Sequence, residues 1–424
     1  MTNVTVNKLS PCKRRMNVEI SPEVFNNALE EIYRDLEKTA KIPGFRVGKV
    51  PRKIIVSRYA KDAVEEAKSK LINDTYRSSI TDHNLRPVHV PKIENISFDS
   101  NQSLRYTAEF EIEPDVELKS YDGIKIKVDK IKITDAEIDD ELQHIRESQA
   151  TLEIVENSRA TIMGDYIIID YKMIAEDGQT VIEEGSSKMM RLQENATFLK
   201  DVIDELVGMS TGETKMVSVV LPSDYAKSEY AGASVDVDIK LIDIKEKKLP
   251  EVNDDFAKSV GNFESVEVLK DELRKLLESH KKNIQRKEGK DQIIEYLLDK
   301  HSFDLPETVV NAEFQQEFTA ELRKMKKAPE DKELDKIKEK IRSESKKKVA
   351  LSYILAQIAT KENIRVDKTD LEQAINYTAR SWNVNATKLR DHLTETGGIY
   401  TMQEQILQDK VLDLLYDKAR VIEK

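Results

Sequence analysis

Gly44-Phe45-Arg46-Val47-Gly48-Lys49-Val50-Pro51 breaks a run of helix-forming sequence in two, and the reading of the chain spreads outward from it. Upstream, Ser21-Pro22 supplies an N-cap residue and a proline preorganised for a first helical turn. Val24, Phe25, Ala28, Leu29, Ile32 and Leu36 then recur at helical spacing, which predicts a helix from about Pro22 to Thr39. Downstream, Ile54, Ile55, Tyr59, Val64, Leu71, Ile72 and Tyr76 predict a second helix reaching about Asp82. Further out, Val4, Val6 and Leu9, then Met16, Val18 and Ile20, alternate as strands do, and Lys92–Phe98 and Leu104–Ile112 read as two more. Residues 1–115 therefore read as a small α+β domain.

Beyond it the texture changes twice. Residues 116–159 read as a linker or arm: extended at first, then a capping box, Thr134-Asp135-Ala136-Glu137, that opens a charged helix to about Ser148. Residues 160–247 are β-rich, with strand-like Tyr166–Tyr171, Lys215–Leu221 and Val235–Ile244 and a hairpin turn at Asp177-Gly178. Residues 248–424 are helical, with stretches at Val266–Lys300, Pro306–Lys327, Lys332–Lys361 and Leu371–Arg380 and shorter ones beyond. Starts are expected at Asp304-Leu305-Pro306-Glu307 and near Asp367. The fold class is α+β multidomain, ending in an elongated all-α domain.

Bulk properties agree and exclude several functions. A chain of 424 residues exceeds the roughly 250–300 residues at which single cores stop growing. With 35% charged and 6% aromatic residues, it has the composition of long, well-solvated helices. A formal charge of −11 argues against a surface that embraces nucleic acid throughout. The polar start of the chain lacks an export pattern, which points to the cytoplasm. Val349–Thr360, the longest apolar helical run, is twelve residues against the roughly twenty of a bilayer span, so no membrane partner is expected. A single cysteine, Cys12, and six scattered histidines give no metal-ligand spacing, so neither metal nor cofactor is expected.

Against that acidic background, Lys41 to Lys61 holds seven basic residues, Lys41, Arg46, Lys49, Arg52, Lys53, Arg58 and Lys61, and no acidic one. The glycines at 44 and 48 hold Phe45 and Arg46 at a tight turn, pairing an apolar anchor with a guanidinium suited to phosphate. The plainer alternative is a solvated basic turn whose Phe45 tucks into its own core.

This stretch, together with Arg58-Tyr59, closely resembles the ribosome-docking signature of bacterial trigger factors, and the order of β, helical and mixed segments matches along the whole chain. The resemblance implies a cytoplasmic, ribosome-associated chaperone without cofactors. It would dock near the polypeptide exit tunnel through Gly44, Phe45, Arg46, Gly48, Lys49 and Pro51 and bind nascent and unfolded polypeptides. It also implies roles in folding, export and cell division, and leaves room for weak self-association off the ribosome. One departure is that Val47 stands where the family commonly has a second basic residue, which shifts weight onto Lys49 and Arg52.

The resemblance further implies that the β-rich segment is an FKBP-type peptidyl-prolyl cis-trans isomerase. Such a site grips proline in an aromatic, water-poor pocket and favours the twisted amide, with no nucleophile or metal. Gly208-Met209-Ser210-Thr211-Gly212-Glu213, Asp170-Tyr171 and Pro222-Ser223-Asp224-Tyr225 follow the family pattern. The implied pocket comprises Tyr171, Met189, Leu199, Val202, Tyr225 and Val237. Met189, Val202 and Val237 replace phenylalanines and Leu199-Lys200-Asp201-Val202 replaces Ile-Pro-Gly-Phe, so weak activity is expected. Two other readings compete: a ribosome-independent isomerase with helical substrate arms, and an RNA-binding adaptor that uses the 41–61 patch. The latter lacks any base-stacking aromatic platform.

Overall fold

In the computed structural model, described for all residues except 1, 99–102, 156–158, 194–199, 223–224 and 326–330, the chain forms two compact units. One joins Met1–Asp129 to Gln285–Lys424, and the other is Lys130–Ile284.

Strands Thr2–Lys8 (β1) and Lys13–Ile20 (β2) form an antiparallel hairpin. Helices Pro22–Thr39 (α1) and Arg52–Asp82 (α2) follow, then strands Lys92–Phe98 (β3) and Leu104–Glu111 (β4). The sheet order is β1-β2-β4-β3. Period-two alternation sends Met16, Val18 and Ile20 of β2 and Ala108, Tyr106 and Leu104 of β4 to one face, directly opposite one another, and both helices cover them. The expected helix faces are found: Phe25, Ala28 and Ile32 of α1 are buried, as are Ile55 and Leu71 of α2.

The second unit begins with a helix at Asp135–Ser148 (α3), and the capping box expected at Thr134 is formed, with Glu137 N–H donating to Thr134 Oγ1. Thr151–Ile154 (β6), after a short strand Lys125–Val128 (β5) in the first unit, leads into Tyr166–Ala175 (β7), Val181–Arg191 (β8), the helix Lys200–Leu206 (α4), Thr214–Val220 (β9) and Ser234–Lys248 (β10). These strands form one antiparallel sheet in which β10 pairs with β7 on one edge and with β9 and β6 on the other. The Asp177-Gly178 turn is present: Gly178 has φ +70°, and Asp177 accepts from the Gln179 and Thr180 N–H groups. Asp165, ahead of β7, is buried and takes a bidentate pair from Arg159 at 2.6 and 2.8 Å plus the Ile162 N–H. Burial pushes its carboxyl up, but the guanidinium and the N–H outweigh burial and hold it below the usual range. Asp254–Gly261 (α5) packs Phe256 and Ala257 against Ile138 and Leu142 of α3.

The helices Val266–Lys300 (α6), Glu307–Lys324 (α7), Asp331–Lys361 (α8), Lys368–Ser381 (α9), Ala386–Glu395 (α10) and Gly398–Lys418 (α11) complete the chain with a strand, Arg420–Glu423 (β11). The second half of α6 packs Ile293 and Leu297 against Ile354, Leu355 and Ile358 of α8 and Val411 and Leu415 of α11. The apolar run at 349–360 is thus a buried helical face. Gly289, in mid-helix, lets the Tyr416 ring lie directly on α6, where a Cβ would collide with it, and Arg286 covers that ring at 4.7 Å. One start differs from expectation. Pro306 is the N-cap of α7 and provides no side-chain cap; the Thr308 N–H is satisfied instead by Glu111 of β4, at 2.8 Å. Cys12 is buried, its thiol donating to the Asp304 carbonyl at 3.0 Å and pushed up in pKa by that burial.

Candidate functional site

The connection between α1 and α2 is anchored at its feet and open at its tip. Ala40, Ile42 and Val50 are buried in the N-terminal core. Between them two turns close, Phe45 N–H donating to the Ile42 carbonyl at 3.1 Å and Lys49 N–H to the Arg46 carbonyl at 2.9 Å. Gly44 has φ +91° and Gly48 φ +78°, and no atom lies within 4 Å of where either Cβ would sit. Backbone handedness, rather than crowding, is what calls for glycine at both positions.

The turns lift the intervening side chains into solvent. Phe45 is 40% exposed and Val47 48%, so Phe45 does not tuck into the domain core. Arg46 and Lys49 are exposed and make no ion pair among the described residues. Arg52 is committed elsewhere: its guanidinium pairs with Glu30 and with Glu37, the latter at 2.9 Å, and lies 5.5 Å from the Tyr33 ring centroid. It staples the loop base to α1, and of the seven basic residues in this stretch it alone is ion-paired among the described residues. The tip therefore presents an apolar ring and two unpaired cations on a fixed turn, and a partner rich in phosphate with an apolar crevice would bury the one and neutralise the others.

The β module gathers some of its expected pocket residues and not others. Val202 and Val237 are fully buried, Tyr171 nearly so, and Tyr225 packs on the same core. Met189 faces outward at 52% exposure, while its neighbour Met190 packs on the core. Leu199 lies outside the described residues. A residue absent from the sequence reading organises the group. The Glu183 carboxylate accepts from the Tyr171 hydroxyl at 2.6 Å and from the Tyr225 hydroxyl at 3.0 Å. The Tyr171 bond is the main cause of the lowered Glu183 pKa, while burial, then the carboxylate, pushes the Tyr171 phenol up to about 12. Gly185 is paired with Tyr171 across β7 and β8, and a Cβ there would strike the tyrosine ring. The signal available in the sequence was a glycine inside a strand, which often marks such a close approach.

The helical region exposes further apolar groups. Tyr377, Trp382 and Tyr400 are largely exposed, and the half-buried Phe314 and Phe318 stack on α7 with ring centroids 5.5 Å apart. Among the described residues there is no cluster of three or more His, Cys, Asp or Glu able to hold a metal, and no helix is long and apolar enough to cross a membrane.

Residues 2–145 match the family described as bacterial trigger factor protein, and residues 265–417 match the family described as its C-terminus. The chain is 31% identical to the trigger factor of Geotalea daltonii, over 99% of this chain and 98% of that one. It is also 31% identical to the trigger factor of Caldicellulosiruptor saccharolyticus, over 98% and 97%. A solved structure concerned with promiscuous substrate recognition by the trigger factor chaperone shares the fold with a TM-score of 0.58 at 20% identity, over 97% of this chain and 99% of that one.

Proposed function

The chain belongs to the bacterial trigger factor family, and on that premise we propose that it works at the ribosome through the tip of its 44–51 loop, as a chaperone that binds nascent polypeptides and keeps them open for folding or export. The carrying observation is the exposed Phe45-Arg46 pair, framed by two left-handed glycines above buried feet. Phe45 seats in an apolar crevice near the exit tunnel, Arg46 and Lys49 meet phosphate, and Gly44, Gly48 and Pro51 fix the turn. Because Arg52 is held by Glu30 and Glu37, Lys49 rather than Arg52 takes the share that a basic residue at position 47 would have carried. The protein acts in the cytoplasm.

The β module is an FKBP-type prolyl isomerase of weak turnover. Val202 and Val237 are aliphatic and fully buried rather than aromatic and open to a proline ring, and Glu183 occupies both phenol hydroxyls that could otherwise address a peptide carbonyl. A purified sample tests the pair of statements. It should pellet with bacterial ribosomes saturably and suppress aggregation of an unfolded protein in substoichiometric assays, while turning over a proline peptide slowly. Ribosome pelleting that survives Phe45→Ala/Arg46→Ala would remove the docking assignment, and fast turnover without pelleting would favour the free-isomerase reading.

A further inference from the structure

The N-terminal domain contains a cavity of about 450 Å³ lined by residues outside the 44–51 loop. Its walls are Ile72 and Tyr76 of α2, Pro87, Val88 and Pro91 of the segment before β3, and Ile93 of β3. The Tyr76 hydroxyl is buried and the ring stands edge-on to Phe110 at 5.4 Å, so the cavity meets the ring rather than its polar end. His89 is held in the wall by its own bonds, to the Val90 carbonyl at 2.6 Å and from the Glu111 N–H at 3.3 Å. At the mouth Val90 is 85% exposed.

The charge at this opening is the reverse of the chain's. Among the described residues no acidic one lines the cavity, although the protein carries a net charge of −11. Arg77 stands at the rim, exposed and without an ion pair among the described residues, and Asn73 is exposed beside it. The position also suits an occupant that arrives while the loop is docked: at a rise of about 1.5 Å per residue, Tyr76 lies roughly 36 Å along α2 from Arg52.

We propose that this cavity is a client subsite that takes an apolar side chain of an extended, unfolded segment bearing an acidic residue next to it, with the carboxylate meeting Arg77. Apolar walls supply affinity for many side chains without choosing among them. Arg77, unpaired among the described residues, supplies the choice, modest and screened by salt as for any exposed pair. The subsite would thus add a preference for acidic-flanked apolar segments to a chaperone whose other exposed aromatics are sign-neutral. It rests on the reading that the protein binds unfolded polypeptides.

The test uses the full chain with isotope-labelled isoleucine methyls and two eight-residue probes, a pair of leucines followed either by glutamate or by lysine. The expected result is saturable shifts at Ile72 and Ile93 with both probes, and a roughly threefold preference for glutamate at low salt. Val90→Glu, at a position too exposed to disturb the core, should abolish those shifts, and Arg77→Glu should invert the preference. Shifts confined to other isoleucines would overturn the subsite and leave the chaperone reading standing. No peptide binding anywhere, with no suppression of aggregation, would overturn both. Shifts at Ile72 and Ile93 that depend on protein concentration without peptide would mean that a second copy covers the cavity, and would also overturn it.

Discussion

The 44–51 loop and the Tyr171–Glu183–Tyr225 group use the same ingredients, aromatic rings and a charge, in opposite ways. In the loop, backbone geometry consumes nothing: two left-handed glycines hold the turn, and Phe45, Arg46 and Lys49 remain unspent at the surface. In the β module one carboxylate accepts both phenols, Gly185 makes room for a ring, and the bonding capacity of the group is satisfied internally. Groups whose partners are all within the chain contribute to stability, whereas an exposed ring beside solvated cations keeps its apolar area and its charge available to a partner. On that difference rests the proposal that the loop, rather than the tyrosine pair, meets a partner outside the chain.

The largest effect should come from emptying the loop. Phe45→Ala/Arg46→Ala removes about 1.5–3 kcal/mol of apolar burial and a charge-assisted contact of similar size, so ribosome affinity should fall at least about hundredfold. The melting of the protein should not change, and equal sensitivity of both would break the comparison. Next, Asp165→Asn should lower the stability of the β module by about 2–3 kcal/mol, less than the roughly 3–5 of a fully buried pair because Arg159 is partly exposed. Scanning calorimetry would show this as an earlier transition with docking intact.

The same carboxylates set a pH dependence. Asp165 and Glu183 both have folded pKa values below their usual ones, so their stabilisation is complete above the ordinary carboxylate range and is lost as pH falls through the folded values. Unfolding followed from pH 7 to 3 should lose stability from about pH 5 downward, where unfolded carboxylates begin to protonate. Gly185→Ala should cost about 1–3 kcal/mol by displacing the Tyr171 ring, and a variant as stable as the parent would show that the ring moves freely. The smallest effect is a gain. Val47→Lys should tighten ribosome binding only about threefold, and only at low salt, since an exposed cation adds little.

Much of this was legible in the chain because it was local. The alternation of Met16, Val18 and Ile20, the capping box at Thr134 and the glycines at 44 and 48 each state their geometry within a few residues. What escaped was non-local. β5 pairs in parallel with β11 from Lys125↔Arg420 onward, two four-residue strands almost three hundred residues apart, with no pattern that either could announce. The cap of α7 comes from Glu111, and the space at Gly289 belongs to Tyr416. In the β module the same limit applied: family resemblance pointed to Met189, but pairing of β8 with β7 sets Met190 against the buried Ile167 and leaves Met189 outside. Glu183 was invisible because a carboxylate's role depends on which hydroxyls the fold brings to it.

If the tip of the loop itself enters the ribosomal site, a reporter at residue 47 must sense the change of surroundings. Cys12 is buried and its thiol is pushed up in pKa, so a Val47→Cys variant can be labelled selectively with an environment-sensitive fluorophore at neutral pH. Titration with ribosomes should give a saturable change in emission that weakens as salt rises and needs at least about tenfold more ribosomes when Arg46→Ala is added. Ribosomes that pellet the labelled chain while leaving its emission unchanged would place docking elsewhere than the loop tip.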